Sequence, residues 1–388
     1  MKYLYLSACA LIMIASCNNN SNTPTATVSR EEKNEWTLLP FTKVDSVNPV
    51  LQLGQAEFIC PVLNKKIRWE NKDVFNPAIV VRAGKIMMLY RAEDTVGKFA
   101  GTSRIGLAES DDGLHFIKHA SPVLFPDNDE QKKFEWEGGC EDPRVVEDQS
   151  GTYFMTYTAY DGKTARLLVA SSKDLEKWIK HGPAFAKAFN GKYLDTWSKS
   201  GSIVSNYEKD GRIVATKING KYWMYWGDVN IWAAVSDDLI NWTPVLYTND
   251  EKPTIELRHY AKDIPEIKIV FGPRKGKFDS DLVEPGPPAM LTEKGILLIY
   301  NSRNIPSIGD SLLTEGTYAA GQVLMDGQDP TKVLNRTDNY FMKPDKPYEI
   351  TGQVNHVCFL EGLAWFKEKW FLYYGTADSK IAVAVKKL

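Results

Sequence analysis

The sequence has 388 residues, of which 43% are hydrophobic and 25% are charged, which is the composition of a globular protein. Its 47 basic and 49 acidic residues leave a formal net charge of -2, and this excludes a general electrostatic attraction to nucleic acid or to anionic membranes. Aromatic residues make up 12% of the chain and suit an uncharged, polyhydroxylated ligand, because flat rings stack on the apolar faces of sugars; they would equally fill a β-rich core.

The chain begins with a segment that is typical of a bacterial lipoprotein signal. Residues 1–17, MKYLYLSACALIMIASC, combine a basic start, an apolar run and small residues before a cysteine. The stretch from Ile14 to Cys17 matches the lipobox, so we predict lipidation of Cys17, a flexible polar tether over 18–35 and a folded body over 36–388. We expect the protein to be exported and held in the cell envelope by its lipid, on a membrane face and in an oligomeric state that the sequence leaves open.

A repeated strand organises the body. A turn, an apolar strand and an aromatic residue recur about every 70 residues, as GKIMMLYRAED, GTYFMTYTAYD, GKYWMYWGDVN, KGILLIYNSRN and EKWFLYYGTAD. The aromatic positions are Tyr90, Tyr157, Tyr225, Tyr300 and Tyr373. After three copies, a second strand runs into a polar turn and another aromatic residue, as in RIGLAESDDGLHF, RLLVASSKDLEKW and NIWAAVSDDLINW.

Five small antiparallel sheets at this spacing predict an all-β protein with a five-bladed β-propeller fold. Because the blades of a propeller share one axis, we expect 36–388 to be a single domain. The stretches 181–215 and 247–280 lack an obvious pattern and are interpreted as insertions, which either shape a ligand pocket or form solvated loops.

Polar residues next to prolines stand at the starts of the predicted inner strands, where all blades of a propeller converge. Proline removes a donor from a strand ladder, so these residues are an unusual choice for structure alone. Asp142 and Glu284 come from different predicted blades and could face each other across a central funnel. Two opposed carboxyl groups are what glycosidic cleavage requires, although a turn or a salt bridge is the alternative for each of them. The segments concerned carry Asn76-Pro77, Glu141 to Arg144, Lys217, Glu284 to Pro288 and Asn355-His356.

Cysteine and histidine spacing argues against a metal centre. Cys60, Cys140 and Cys358 remain in the body and are predicted to be buried free thiols. Neither a Cys-x-x-Cys pair nor a histidine cluster with ligand spacing occurs, so we predict no structural metal.

These motifs, taken in order, resemble glycoside hydrolase family 130, the five-bladed propeller enzymes that act on β-mannosides. The resemblance extends from about residue 70 to the end and rests on FNPAIVVRAGKIMMLYRA, SRIGLAESDDGLHF, CEDPRVV, KINGKYWMYW, EPGPPAMLTEKGILLIY, DGQDPTKVLNR, YEITGQVNHVCFLEGLAW and YYGTAD. It implies a pocket on the propeller axis and cleavage with inversion at the anomeric carbon.

The resemblance also implies roles for individual residues. Asp142 falls on the family's general acid, whose proton is thought to reach the glycosidic oxygen through the 3-hydroxyl of the sugar. Arg144 is expected to order the site or to contact an acceptor, and Glu141 to contact substrate or to be a structural neighbour. The residues that match the mannose-binding set are Asn76, Arg91, Arg104 and Asp378.

The family contains phosphorylases, in which inorganic phosphate attacks, and hydrolases, in which a carboxylate activates water. Phosphorylases keep a His-Arg pair and a His-Gly pair as phosphate donors, where this chain has Trp226-Gly227 and Asn301-Ser302. The basic residues left for a phosphate or acceptor site are Arg166, Lys217, Arg303 and His356. Phosphate is therefore expected as a co-substrate only if the chain is a phosphorylase, and no other cofactor is expected.

The leading hypothesis is an inverting β-mannoside hydrolase, with β-1,2-linked mannose favoured and an oligosaccharide or glycan as its partner. Inversion requires a general base that holds a water molecule, with the two carboxyl groups about 6.5 to 9.5 Å apart. Glu284 is the first candidate for the base and Asp228 the second. The alternatives are a β-mannoside phosphorylase that releases mannose 1-phosphate and a glycan-binding lipoprotein without catalysis; a propeller glycosidase for arabinans or fructans fits the motif order less well.

Overall fold

The computed structural model describes residues 35–96, 98–99 and 101–387. The predicted signal peptide with Cys17, and the tether up to residue 34, lie outside the described residues. From Trp36 onward the chain forms one compact unit. Within the described ranges, no helix is long and apolar enough to cross a membrane.

Short strands precede the first large sheet. They are β1 (Thr42–Lys43), β2 (Glu57–Cys60) and β3 (Lys65–Arg68), of which the last two form a hairpin. Sheet 1 follows as an antiparallel meander of β4 (Asp73–Arg82), β5 (Lys85–Glu93), β6 (Ser103–Ser110) and β7 (Ile117–Lys118). Strand β4 is buried along almost its whole length, which explains its continuous apolar run.

Sheets 2 and 3 repeat the meander. Helix α1 (Lys132–Glu135) leads into sheet 2, which contains β8 (Gly139–Glu147), β9 (Tyr153–Tyr160), β10 (Ala165–Ser172) and β11 (Ile179–Pro183). After a 3-10 helix (Ala188–Gly191), the next strands are β12 (Ser202–Ile203), β13 (Ser205–Tyr207), β14 (Ile213–Ala215), β15 (Lys217–Ile218), β16 (Lys221–Trp226), β17 (Ile231–Ser236) and β18 (Trp242–Pro244). Sheet 3 has the order β12-β16-β17-β18, with β15 at the edge of β16.

Sheets 4 and 5 complete the series. A second 3-10 helix (His259–Asp263) and β19 (Ile269–Phe271), which pairs with β17, precede them. Sheet 4 comprises β20 (Leu282–Pro285), β21 (Met290–Thr292), β22 (Gly295–Arg303), β23 (Tyr318–Met325) and β24 (Val333–Arg336). After helix α2 (Pro347–Ile350), sheet 5 comprises β25 (Cys358–Phe366), β26 (Lys369–Thr376) and β27 (Lys380–Lys387). Its fourth strand is β1, which pairs with β27 and so joins the two ends of the described chain.

The five repeated tyrosines occupy equivalent places in the second strand of the five sheets, and each is fully buried. Their hydroxyl groups all donate a hydrogen bond, with oxygen–oxygen distances of 2.6 to 3.0 Å, so none of these buried hydroxyls is left unsatisfied. In chain order, the acceptors belong to Glu70, Glu135, Pro330, Asp279 and Gly113. The predicted fivefold repeat is therefore a repeat of sheet structure.

The all-β prediction is confirmed, and the arrangement of the five sheets as blades of a propeller stays a prediction. The predicted insertions are partly regular, since both contain a 3-10 helix and short strands. The prediction of buried free thiols is confirmed for Cys60, Cys140 and Cys358.

Candidate active site

Two bulges in the first strands of sheets 1 and 2 form the centre of the site. Asn76 and Asp142 each precede a proline and each adopt a positive φ, of 47° and 48°. The pairing register of β4 and of β8 shifts at the same points. Asn and Asp tolerate this left-handed conformation better than most residues, and a bulge turns the side chain out of the ladder. The Asn-Pro and Asp-Pro sequences therefore place an amide and a carboxylate side by side, with Asn76 Nδ2 donating to Asp142 Oδ1 at 2.9 Å.

These two side chains line a cavity of about 110 Å³ together with residues from sheets 1, 4 and 5 and from the segment before β12. Of the predicted site residues, Arg91, Glu284 and Asp378 also line it. The full lining set is Asn76, Arg91, Asp142, Lys199, Glu284, Tyr318, Val354, Val357, Phe359 and Asp378. The sequence thus predicted five of the ten lining residues, drawn from segments far apart in the chain.

Arg91 forms ion pairs with several carboxylates at the cavity. Its guanidinium lies 3.2 Å from Asp142 Oδ1, 3.1 Å from Glu141 Oε1 and 2.7 Å from Glu93 Oε1. Its Nε donates to Ser103 Oγ at 3.0 Å. One cation thus holds three carboxylates, and Glu141 acts as a structural neighbour that does not line the cavity.

Asp142 is ionised in the free site. Burial by itself would raise the pKa of its carboxyl, but Arg91, Lys199 and the hydrogen bond from Asn76 outweigh burial and lower the pKa to about 2. Lys199 Nζ lies 3.8 Å from Asp142 Oδ2. The residue that resembles a general acid therefore carries no proton at neutral pH in the free site.

Two other carboxyl groups of the cavity keep their protons to a much higher pH. Burial raises the pKa of Glu284 to about 7; Lys199 opposes this rise and Asp228 adds to it. The Ser200 hydroxyl donates a hydrogen bond to Glu284. Burial also raises the pKa of Asp378 to about 7, against the opposing effect of Arg91. The cavity therefore combines an ionised carboxylate with two carboxyl groups that titrate near neutrality.

Lys199 is a charged residue of the cavity that the sequence analysis missed. It lines the cavity, and the carboxylates of Glu284, Asp142 and Asp228 raise its pKa above the ordinary value although burial alone would lower it. It lies in an irregular segment, next to Ser200 with a φ of 58°. A single lysine in the stretch SKSGS gives no periodic or motif signal, so only the folded chain reveals its position.

Arg144 connects β8 with the segment that follows Glu284. Its Nε and Nη2 donate to the carbonyl oxygens of Gly286 and Pro285 at 2.8 and 2.7 Å, which ties β8 to the segment that carries Glu284. Its Nη1 lies 3.6 Å from Glu361 Oε1. Arg144 is buried and does not line the cavity, and its role, ordering the site or contacting an acceptor, stays a prediction.

Glu361 was also missed, because it lies within an apolar strand sequence. It occupies the bulge between Leu360 and Gly362 and is fully buried. Neither of its carboxyl oxygens has a hydrogen-bond partner in the described part of the chain. Burial raises the pKa of Glu361 well above the ordinary value, so this carboxyl group is neutral. It does not line the cavity.

Arg104 and Asp228 do not line the cavity. Arg104 is buried, with Nη1 2.6 Å from Asp94 Oδ2, and it lies over the ring of Phe58. Asp228 accepts hydrogen bonds from Trp197 Nε1, at 3.0 Å, and from the hydroxyl of Tyr260. Arg104 thus forms an ion pair with Asp94. Asp228 is near Glu284 but does not line the cavity.

The four residues predicted for a phosphate or acceptor site are not brought together in the cavity. Arg166 is ion-paired with Asp161 at 2.7 Å and with Asp195 at 2.8 Å. Arg303 is ion-paired with Asp281 at 2.5 Å. Lys217 is exposed on β15 and lies over the ring of Tyr222. His356 is half-buried, and its backbone carbonyl accepts from the N–H of Tyr318.

Among the described residues, no group of histidine, cysteine, aspartate and glutamate side chains is arranged to hold a metal ion. The lining of the cavity offers carboxyl groups and two cations, Arg91 and Lys199. Paired carboxyl groups with separated pKa values are suited to general acid–base catalysis.

Comparison with known proteins gives the family. The model of a family described as beta-1,4-mannooligosaccharide phosphorylase matches residues 56–388. A 1,2-beta-oligomannan phosphorylase of Thermoanaerobacter sp. is 31% identical over 339 residues, which cover 84% of this chain and 95% of that protein. A glycosyl hydrolase of known structure from Bacteroides ovatus is 46% identical, with a TM-score of 0.84 and coverage of 91% of this chain and 95% of that one.

A further solved structure comes from work on family 130 glycoside hydrolases that target beta-1,2 mannosidic linkages in Candida mannan. It is 45% identical to this chain and has a TM-score of 0.84, and the match covers 91% of this chain and 95% of that one. The family match covers β2 to β27 and every residue that lines the cavity. The chain therefore belongs to glycoside hydrolase family 130, a family of enzymes that act on mannosides.

Proposed function

We propose that this chain is an exported, lipid-anchored hydrolase that cleaves β-mannosidic bonds with inversion, with β-1,2-linked mannosides as its substrates. We also propose that its five sheets are the blades of a five-bladed β-propeller whose axis passes through the cavity. The observation that carries the proposal is the presence of Asp142 and Glu284 in the lining of one small cavity, a lining that includes none of the four predicted phosphate donors.

The electrostatics of the site favour water over phosphate as the attacking group. A phosphate dianion requires several cationic donors that are free to bind it. Arg166 and Arg303 are each neutralised by carboxylates, and Arg91 already holds three. Lys199 is the remaining cation of the cavity, and the carboxylates of Glu284, Asp142 and Asp228 surround it.

Sequence similarity supports the same choice. The two solved relatives from work on hydrolases described above are 46% and 45% identical to this chain, whereas the named phosphorylases are 31% identical or less. Those phosphorylase names are nevertheless a specific reason to keep mannoside phosphorolysis as the second candidate. In that reaction, phosphate would attack in place of water and the product would be mannose 1-phosphate.

In the proposed mechanism, Asp142 and Glu284 share one proton. The free site holds that proton on Glu284. A mannoside that binds to Arg91 and Asn76 would weaken the interactions of these two residues with Asp142. The pKa of Asp142 would then rise, and the shared proton could reside on Asp142. Asp142 then delivers the proton towards the glycosidic oxygen through the sugar's 3-hydroxyl, and ionised Glu284 takes a proton from the attacking water. The C–O bond to the leaving group breaks as the bond to water forms on the opposite face.

Product analysis with and without phosphate tests the proposed reaction. We expect purified protein to release free mannose from β-1,2-mannobiose at a rate that inorganic phosphate does not change, and no mannose 1-phosphate. Proton NMR should show the inverted anomer first. Strict dependence on phosphate would establish the phosphorylase, and binding without turnover of any β-mannoside would establish the non-catalytic alternative.

Activated substrates separate the roles of the two carboxyl groups. An aryl β-mannoside with a good leaving group needs little acid assistance, so Asp142→Asn should lose at least about 100-fold more kcat on mannobiose than on the aryl substrate. Glu284→Gln should lose activity on both substrates and regain it with azide, which needs no base, to give an α-mannosyl azide. Azide rescue of Asp142→Asn instead would reverse the two assignments.

The lipid anchor is tested separately from catalysis. We expect expression of the full chain in a lipoprotein-exporting bacterium to place it in the membrane fraction, and Cys17→Ala to leave it unlipidated. Equal incorporation of labelled fatty acid into both proteins would contradict the proposed anchor without touching the enzymatic proposal.

A further inference from the structure

Three aromatic side chains form a continuous row beside the cavity, which we call the aromatic row: Tyr160, Trp197 and Tyr260. The ring centroids of Tyr160 and Trp197 are 6.5 Å apart, and those of Trp197 and Tyr260 are 6.0 Å apart. All three residues are half-buried. They come from three separate places: the end of β9, the segment before β12 and the second 3-10 helix.

The row is rigidly supported from the protein interior. Tyr260 packs on Trp232, with centroids 5.8 Å apart, and Trp232 stacks on Trp226 at 5.0 Å. Trp226 and Trp232 are fully buried. A platform of this kind loses little conformational entropy when a ligand stacks on it, which favours binding.

The row leads directly to the catalytic cavity. Trp197 Nε1 and the Tyr260 hydroxyl both donate to Asp228, and Asp228 is close enough to raise the pKa of Glu284 inside the cavity. Two residues after Trp197, Lys199 lines the cavity. A chain-like ligand whose end occupies the cavity would therefore pass along these rings.

A second cavity of about 390 Å³ adjoins the row and is larger than the catalytic one. Trp197, Tyr260 and Tyr193 contribute rings to its wall, and Thr164 and Thr196 contribute hydroxyl groups. Rings that cover C–H faces, together with polar groups that bond to hydroxyls, are the surface that a sugar requires.

The charges in this second cavity are largely compensated. Asp195 is held by Arg166 at 2.8 Å, and Glu266 is bound by Lys192 at 2.5 Å and by the Tyr193 hydroxyl at 2.9 Å. An ionic ligand would have to displace these pairs, whereas a neutral one would not. Arg166 does not line this cavity, but its ion pair fixes Asp195, which does.

We propose that the aromatic row and the second cavity bind the further sugar units of a mannoside chain whose terminal unit occupies the catalytic cavity. This inference rests on the proposed function and deepens it. The protein then acts preferentially on oligosaccharides of three or more units, because only these have sugar units for the aromatic row and the second cavity in addition to the catalytic cavity.

The test compares chain lengths in a variant of the row that leaves the catalytic groups alone. Tyr160 is suitable, whereas Trp197 and Tyr260 are not, because both bond to Asp228. For Tyr160→Ala we expect kcat/KM on a β-1,2-mannotetraose to fall about tenfold and that on mannobiose to stay within about twofold. The control is Tyr222→Ala. Tyr222 is also half-buried, but it lies in sheet 3 and lines neither cavity, so this variant should change kcat/KM on neither oligosaccharide.

A second variant covers the case in which Tyr160→Ala does not fold. Thr196→Arg places a long side chain in the second cavity from a half-buried position and should produce the same selective loss on the tetrasaccharide. Equal kcat/KM of the unaltered protein for both substrates, or an equal loss on both in a folded variant, would overturn the proposal.

Calorimetric binding of the same two oligosaccharides without phosphate separates this inference from the proposed function. If hydrolysis fails but the tetrasaccharide binds more tightly than the disaccharide, and Tyr160→Ala abolishes that difference, the sugar site stands and only the reaction class is wrong. If the two oligosaccharides bind equally, the sugar site is wrong whatever the reaction.

Discussion

At the scale of single residues, the site depends on two prolines that interrupt the regular backbone pairing of their strands. Asn76 and Asp142 lie within β4 and β8 but adopt positive φ, and the pairing register shifts at each of them. The interruption is visible in the sequence as a polar residue before proline inside an apolar run. The partners that set the protonation of Asp142, above all Lys199, are not visible there, because they arrive from other segments of the chain.

The protonation of the cavity predicts the pH dependence of the reaction. The pair of Asp142 and Glu284 holds a single proton from about pH 2 to about pH 7, which is the interval between their pKa values. Above that interval the pair loses the proton that the leaving group needs. We therefore expect kcat/KM to fall by up to about tenfold per pH unit above pH 7.

Initial rates on mannobiose between pH 4 and pH 9, with stability checked by re-assay at pH 6, measure this profile. The profile alone does not identify which carboxyl carries the proton, since both forms contain one proton, and the aryl mannoside experiment serves that purpose. A rate that is constant from pH 6 to pH 9 would contradict the pKa of Glu284.

At the scale of elements, the turn after the third strand is a repeated structural device. In sheets 1, 2 and 3 a serine hydroxyl accepts the backbone N–H three residues later, and the aspartate two residues after the serine accepts two further N–H groups. The turns start at Ser110, Ser172 and Ser236. Each turn satisfies backbone donors that no strand could satisfy, so its sequence pattern reliably marks a strand end.

Removal of one such carboxylate should destabilise the protein. Asp238 Oδ1 accepts the N–H groups of Ile240 and Asn241 at 2.9 and 2.8 Å, and the turn places Trp242 in the core. We expect Asp238→Ala to lower the free energy of unfolding by about 1 to 2 kcal/mol. Guanidinium unfolding followed by tryptophan fluorescence measures the change.

The neighbouring Asp237 provides a matched control. It is exposed and bonds to the exposed Lys221, so Asp237→Ala should change the free energy of unfolding by less than about 0.5 kcal/mol. Equal effects of the two substitutions would show that the turn contributes no specific stability.

At the scale of the whole molecule, the first strand closes the last sheet. β1 pairs with β27 at Thr42 and Val385, and Lys43 reaches the fully buried Glu349 at 2.7 Å. Tyr374 also donates to Glu349, at 2.8 Å. Backbone pairing therefore ties the two ends of the folded body, and the buried ion pair ties β1 to helix α2.

Replacing Lys43 tests this closure. Lys43→Met leaves the buried carboxylate of Glu349 without its cation and should lower the free energy of unfolding by about 3 kcal/mol. Lys346→Met removes only a pairing with the half-exposed Asp45 and should cost less than about 1 kcal/mol. Thermal and guanidinium unfolding measure both variants, and an equal effect would show that the closure adds no stability.

The sequence by itself determined the five repeated strands, the tyrosine in each, the polar turns and the two proline-linked residues of the site. All of these depend on interactions within a few residues of one another, such as strand alternation, turn hydrogen bonding and the φ restriction next to proline. Only the tertiary structure decided which distant side chains share the cavity. Lys199 enters it while Lys217 does not, and carboxylates neutralise Arg166 and Arg303, because cavity membership and buried charge depend on how five sheets and their insertions meet in space.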